Sequence, residues 1–238
     1  MRMLPILLLL AVVGSAHAHI PLSPEILNDS FDELEAAQAK AETEKNTSKQ
    51  AAAIYEIALM ANGLMNLLNE EVQLQGFSQQ SLLDWATATA ADLGVEISWS
   101  EKHQRYFYAG KAFRRYLEVM PDGINAANSQ YHLIETSFYL GNSENRESMV
   151  ARTSTEKDFL QRFPDSGNVG RVAMFLSVDY RDIWRSCKAA NEPDCANQYA
   201  KLNRDHLAAI SVSYDGTRTA ELARTMLRRF ETEFANSE

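Results

Sequence analysis

The sequence predicts an all-α protein built from antiparallel helical hairpins, and three observations predict it. Glycine and proline are scarce, at 10 and 6 of 238 residues. They fall between long stretches whose apolar residues recur about every 3.6 positions. No β-branched alternation is sustained, and Val95 to Trp99 is the one weak candidate for a strand. Caps and stop residues sit where the periodicity begins and ends.

The N-terminus reads as an address. Residues 1–18 open with Arg2, run through the apolar stretch Leu4 to Val13, and end in Ala16-His17-Ala18, the form of a cleaved export signal. An apolar core of about ten residues is half of what a bilayer span requires. The mature chain is therefore expected to start at His19, soluble in the periplasm or secreted. No cysteine follows Ala18 to carry a lipid, so no membrane anchor is expected. Losing Arg2 takes the net charge from −9 to −10, a balance that argues against nucleic acid or anionic membrane as the main partner. The remaining chain is long enough to bury roughly 70–75% of its unfolded surface without metals or staples.

The elements follow in order. Residues 19–30 read as an extended leader, with Asp29 or Ser30 capping a first helix that runs to Glu42. After Asn46-Thr47-Ser48, a second helix places Ile54, Ile57, Ala58, Ala61, Leu64, Met65, Leu68 and Val72 on one stripe. Residues 31–75 could also serve as a homo-oligomerisation segment. Ser78 reads as the next N-cap, with Phe77 and Leu82 as a hydrophobic staple, and Gly94 as the C-terminal stop. An aromatic-rich helix then runs from about Glu101 to Val119. Further helices occupy Ile124 to Leu140, Glu144 to Arg162, Asn168 to Cys187, Cys195 to Val212, and Thr217 to Phe234. Loops of a few residues make neighbours antiparallel. Residues 31–100 thus form an N-terminal helical part and 101–238 a set of repeats.

Cys187 and Cys195 flank Pro193 in a chain expected to meet an oxidising compartment, where one disulfide joining two helix ends is the natural reading. Free thiols or half a metal site are the alternatives.

Three junctions share a form: Tyr116-Leu117-Glu118-Val119-Met120-Pro121-Asp122-Gly123, Phe159-Leu160-Gln161-Arg162-Phe163-Pro164-Asp165-Ser166, and Ile210-Ser211-Val212-Ser213-Tyr214-Asp215-Gly216-Thr217. Superposing Pro121 on Pro164 sets Ala127 over Gly170 and Tyr131 over Met174. Over residues 109–235 these segments resemble tetratricopeptide-like (TPR) repeats of the bacterial envelope, as in the outer-membrane assembly lipoprotein and Tol-Pal-associated periplasmic families. Their spacing is wider than the TPR period of about 34 residues. The resemblance implies a short TPR-like α-solenoid whose surface binds a protein or peptide partner.

No chemistry-bearing motif competes with that reading. There is no Gly-x-Ser-x-Gly, phosphate-cradling glycine loop or His-Glu-x-x-His. His19 at a mature N-terminus would need a second histidine to chelate copper, and His103, His132 and His206 each fall in a helical segment without visible pairing. His132 and Glu135 read as a solvent-facing hydrogen-bonded pair. The sequence therefore predicts a non-enzymatic scaffold without cofactor or metal, the alternative being an envelope enzyme or small-ligand binder with a site in an inter-helix cleft. Most of the aromatics are expected in the core, with Tyr106, Tyr108, Tyr131 and Tyr139 lining a groove and Arg114, Arg115 and Glu135 as its polar anchors.

Overall fold

The computed structural model describes residues 22–141 and 145–236. The expected signal peptide 1–18, its cleavage point and His19 lie outside the described residues. The order is α1 (Pro24–Thr43), α2 (Thr47–Gln75), α3 (Gln80–Asp92), β1 (Ile97–Ser100), β2 (Arg105–Tyr108), α4 (Lys111–Val119), α5 (Ala126–Leu140), α6 (Arg146–Arg162), α7 (Val169–Ala189), α8 (Pro193–Ser213) and α9 (Arg218–Ala235). The architecture is all-α, antiparallel helical hairpins stacked one on the next.

α1 starts earlier than the sequence suggested. Pro24 takes the first helical position and the Ser23 hydroxyl accepts from the Ile26 amide, so residues 24–30 are helical rather than an extended leader. α2 is capped by the Asn46 side chain, and its apolar stripe faces α1 and α4. Among the described helices α2 alone is long and apolar enough to cross a membrane, and half of that window is buried inside the fold. α3 begins at Gln80 without a side-chain cap, so Ser78 does not cap it. Phe77 packs edge to face on Trp99, 5.0 Å between centroids, instead of stapling Leu82. Gly94, at φ +70°, closes α3 in the left-handed conformation expected of it.

The helix expected from Glu101 is a β-hairpin as far as Tyr108, and only Lys111–Val119 is helical. Ile97 pairs with Tyr108 and Trp99 with Tyr106 in an antiparallel register. The deciding partner is remote in sequence. Asn69 of α2 donates from Nδ2 to the Tyr106 carbonyl at 3.0 Å and accepts from its amide at 2.6 Å. That side chain satisfies the strand's outer edge as a further strand would. His103 consequently lies in the hairpin turn, not in a helix.

The three junctions are equivalent at the level of the backbone. Met120, Phe163 and Tyr214 donate to the carbonyls of Tyr116, Phe159 and Ile210 respectively. They accept in turn from the amides of Gly123, Ser166 and Thr217. All six bonds fall within 2.8–3.1 Å, and Tyr116, Phe159 and Ile210 are all buried. The hairpins α4/α5, α6/α7 and α8/α9 follow, with α7 packed on α6 and α8 and the second helices meeting as α5 with α7 and α7 with α9. A methyl group at Gly170 would already touch the Thr219 side chain at 3.4 Å, which marks the close approach of α7 and α9.

Cys187 in the last turn of α7 is disulfide-bonded to Cys195 in the first turn of α8. Glu192, in the loop they enclose, accepts two bonds from Arg146 at the start of α6, at 2.5 and 3.1 Å. These three side chains form the one metal-spaced cluster among the described residues, and its sulfurs are bonded to each other. The covalent link and the ion pair hold three helix ends together.

The α6–α7 interface carries buried charge. Arg152 bonds Asp179 bidentately, Nε to Oδ2 at 2.9 Å and Nη2 to Oδ1 at 2.6 Å, both side chains being buried. Glu156, one turn further along α6, is fully buried and neither of its oxygens has a partner. Burial, and secondarily the Asp179 charge, push its carboxyl up from the ordinary 4.5 to about 9. Between those two values the native chain holds a proton that the unfolded chain releases, so the associated stability is full below 4.5 and lost as pH rises through about 9. Glu156→Gln is therefore expected to be more stable than wild type by ~1–3 kcal/mol at pH 8. That advantage should shrink towards pH 4.5, as read from urea midpoints across the range. Cys195→Ser should lose about 2 kcal/mol in oxidising buffer, and wild type and variant should coincide once reductant is added.

Candidate functional site

A groove of roughly 470 Å³ runs over the second helices of the three hairpins. On α5, Tyr131, Glu135 and Tyr139 recur every fourth residue and so form one line on the helix face. α7 contributes Arg171, Met174 and Phe175, α9 contributes Arg218 and Leu222, and Arg105 reaches in from β2. The groove crosses these helices obliquely. It takes residues four to eight places after the junction position from α9, seven to twelve from α7, and eleven to nineteen from α5.

Its polar centre is a fixed chain of hydrogen bonds. Arg171 Nη1 donates to the Tyr131 hydroxyl at 2.9 Å, and that hydroxyl donates to Glu135 Oε1 at 2.7 Å. His132 Nδ1 lies 3.7 Å from Glu135 Oε2. The pair expected to face solvent is thus half-buried and tied into a network. Burial raises the Tyr131 phenol to about 12, Arg171 drawing it down and Glu135 holding it up. Glu135 itself is pushed up by burial, but the bonds from His132 and Tyr131 and the charges of His132 and Arg171 outweigh this and hold it below the usual value. It therefore stays ionised within an otherwise cationic lining, in which Arg105, Arg171 and Arg218 face a single carboxylate.

An aromatic floor lies beside this network. Phe175 stacks on Phe138 at 4.3 Å and meets Tyr139 at 6.0 Å. Tyr139 packs on Phe107 at 5.5 Å, and the Arg105 guanidinium lies 5.1 Å from the Phe107 ring.

Of the seven residues the sequence pointed to, Tyr131, Glu135 and Tyr139 come together in the groove. The other four do not. Tyr106 lines a separate cleft beside Trp99. Tyr108 is buried, its hydroxyl accepting from the Ala112 amide at 2.8 Å. Arg114 and Arg115 are exposed on α4, because that short helix buries Ala112, Phe113 and Tyr116 and turns its arginines outward. The cations of the groove are Arg105, Arg171 and Arg218, which sequence reasoning missed. One signal was available for Arg171: the alignment of Tyr131 with Met174 places this part of α7 at the level of Tyr131.

No family model matches the chain, and no curated protein matches it. Among solved structures the chain is similar to the DHF119 filament, at 16% identity over 90% of this chain and 97% of that one. The TM-score of 0.29 is too low to carry an argument about fold or role.

Glu135→Gln tests the groove network. Because the folded carboxyl is depressed, its stabilisation is present above the ordinary 4.5 and lost as pH falls through the lower folded value. The substitution should lower stability by ~0.5–1 kcal/mol at pH 7, and thermal melts should show that cost fading in acid.

Proposed function

We propose that this chain is a non-enzymatic exported scaffold that holds an acidic peptide segment of a partner protein in the groove across α5, α7 and α9. The observation that carries the reading is the pairing of an aromatic floor with three arginines in the lining of a protein whose net charge is −9. Aromatic rings supply contact area at low conformational cost. Arginine supplies planar, bidentate recognition of carboxylates. The Tyr131–Glu135–Arg171 chain holds its groups before any ligand arrives, which reduces the entropy lost on binding. Export is supported by the apolar stretch Leu4 to Val13 followed by Ala16-His17-Ala18, and by the disulfide, which suits an oxidising compartment. The likeness of the junction at Phe163 to tetratricopeptide-like envelope proteins supports a role in envelope assembly.

One observation favours the alternative of a small-ligand binder. A cavity of about 110 Å³ touches Glu156 and Arg152, and ionisable groups shifted by burial beside a cavity are common at functional sites. It would hold a ligand of a few atoms at most, whereas the groove fits an extended segment.

The test is selection of peptides by the mature chain from a random display library, followed by titration of the selected peptides into wild type and Arg171→Ala/Arg218→Ala. Selected sequences should be acidic. The double variant should bind them at least about tenfold more weakly, and added salt should weaken the wild-type interaction. Selection of neutral or basic peptides, or equal binding by the variant, would remove the groove from the proposal.

A further inference from the structure

A second cleft, of about 380 Å³, opens between the β-hairpin and the first turns of α3. It shares no lining residue with the arginine groove. Its hairpin wall is aromatic. Trp99 stands edge to face against Phe77, with planes at 81°, and against Tyr106, with centroids 5.1 Å apart and planes at 66°. Cross-strand pairing fixes Trp99 beside Tyr106, and the two Asn69 bonds hold the strand that carries Tyr106. Phe77, in the turn before α3, is 45% exposed.

The remaining charged lining is of one sign. Asp84 and Glu101 line the cleft, and no lysine or arginine does so among the described residues. Gln80 donates to Asp84 Oδ1 at 2.6 Å and Gln104 to Glu101 Oε2 at 3.1 Å. These neutral donors position both carboxylates without cancelling their charge. The Asp84 field reaches the opposite wall, where burial and then that charge raise the Tyr106 hydroxyl.

Ring faces attract cations through their quadrupole, and the Asp84 and Glu101 carboxylates add to that field. The rings offer no lone pairs to replace a hydration shell. A metal ion or a bare ammonium, being strongly hydrated, gains little from the ring faces in return for its shell. An ammonium whose hydrogens are replaced by methyl groups has little shell to lose and an apolar surface to bury.

We propose that this cleft binds an organic cation bearing an alkylated ammonium group, seated against Trp99 and Tyr106 and facing Asp84. The shared chemistry covers a free quaternary amine and the headgroup of a choline lipid. The proposal uses other residues than the groove, so either can fail alone.

Choline chloride is titrated into the full chain beside dimethylbutanol, in which carbon replaces the quaternary nitrogen and the charge is gone. Binding is followed by tryptophan emission and by line broadening of the ligand's methyl resonance. Saturable choline binding, at least about tenfold tighter than the alcohol, is expected. Asp84→Asn and Glu101→Gln, both at exposed positions, should weaken choline roughly threefold or more and leave the alcohol unaffected. Trp99→Phe should abolish the emission change while some line broadening persists. Equal affinity for choline and the alcohol, indifference to Asp84→Asn, or an emission change that survives Trp99→Phe would overturn the proposal. Sedimentation with phosphatidylcholine vesicles separates the sources. Wild-type co-sedimentation that Asp84→Asn abolishes assigns the site to a headgroup, and choline binding without co-sedimentation assigns it to the free cation.

Discussion

The turn that closes each C-terminal hairpin constrains everything placed upon those hairpins. One residue, Met120, Phe163 or Tyr214, ends a helix by donating four residues back and starts the turn by accepting from three residues ahead. The same two bonds thus close each helix and open each turn, with a buried side chain (Tyr116, Phe159 or Ile210) one turn behind the junction. Proline is not what makes the turn, since Tyr214-Asp215-Gly216 keeps both bonds without it. With the turn repeated, α5 lies beside α7 and α7 beside α9, and one groove crosses all three.

α6 is anchored by a different kind of contact. Its inward stripe is Met149, Arg152, Thr153, Glu156 and Phe159, more polar than apolar. Arg152 finds Asp179 across the interface and forms a bidentate fork with it. A paired buried charge of this kind contributes little net stability. Glu156 beside it is tolerated because burial keeps it protonated. The α6–α7 interface thus joins this polar pair to apolar contact from Phe159 and Met149 on either side.

The short hairpin divides the molecule's two candidate sites. Successive side chains of a strand point to opposite faces. Arg105 reaches the cationic groove and Tyr106, the next residue, lines the anionic cleft. Phe107 then packs on Tyr139 of the groove floor, and Trp99 faces the other way with Tyr106. A chain of net charge −9 thereby presents two surfaces of opposite local sign, separated by the thickness of a two-stranded sheet.

Helicity, the positions of most turns, the Gly94 stop and the pairing of Cys187 with Cys195 were all legible in the residue order. Each depends on neighbours within about one helical turn, or, for the cysteines, on a separation of 8 residues. The aromatic run at residues 105–108 was not legible. Tyr106, Phe107 and Tyr108 suit a helix or a strand, and the choice falls to Asn69, 37 residues away, whose amide completes the strand's edge. The groove was legible only along α5, where Tyr131, Glu135 and Tyr139 share a face by helical spacing alone. Its arginines come from β2, α7 and α9, and no local pattern ties Arg105, Arg171 and Arg218 together. The order of residues determines which helices form and where they turn; the packing of one hairpin on the next decides which side chains meet, because that depends on contacts between residues tens of positions apart.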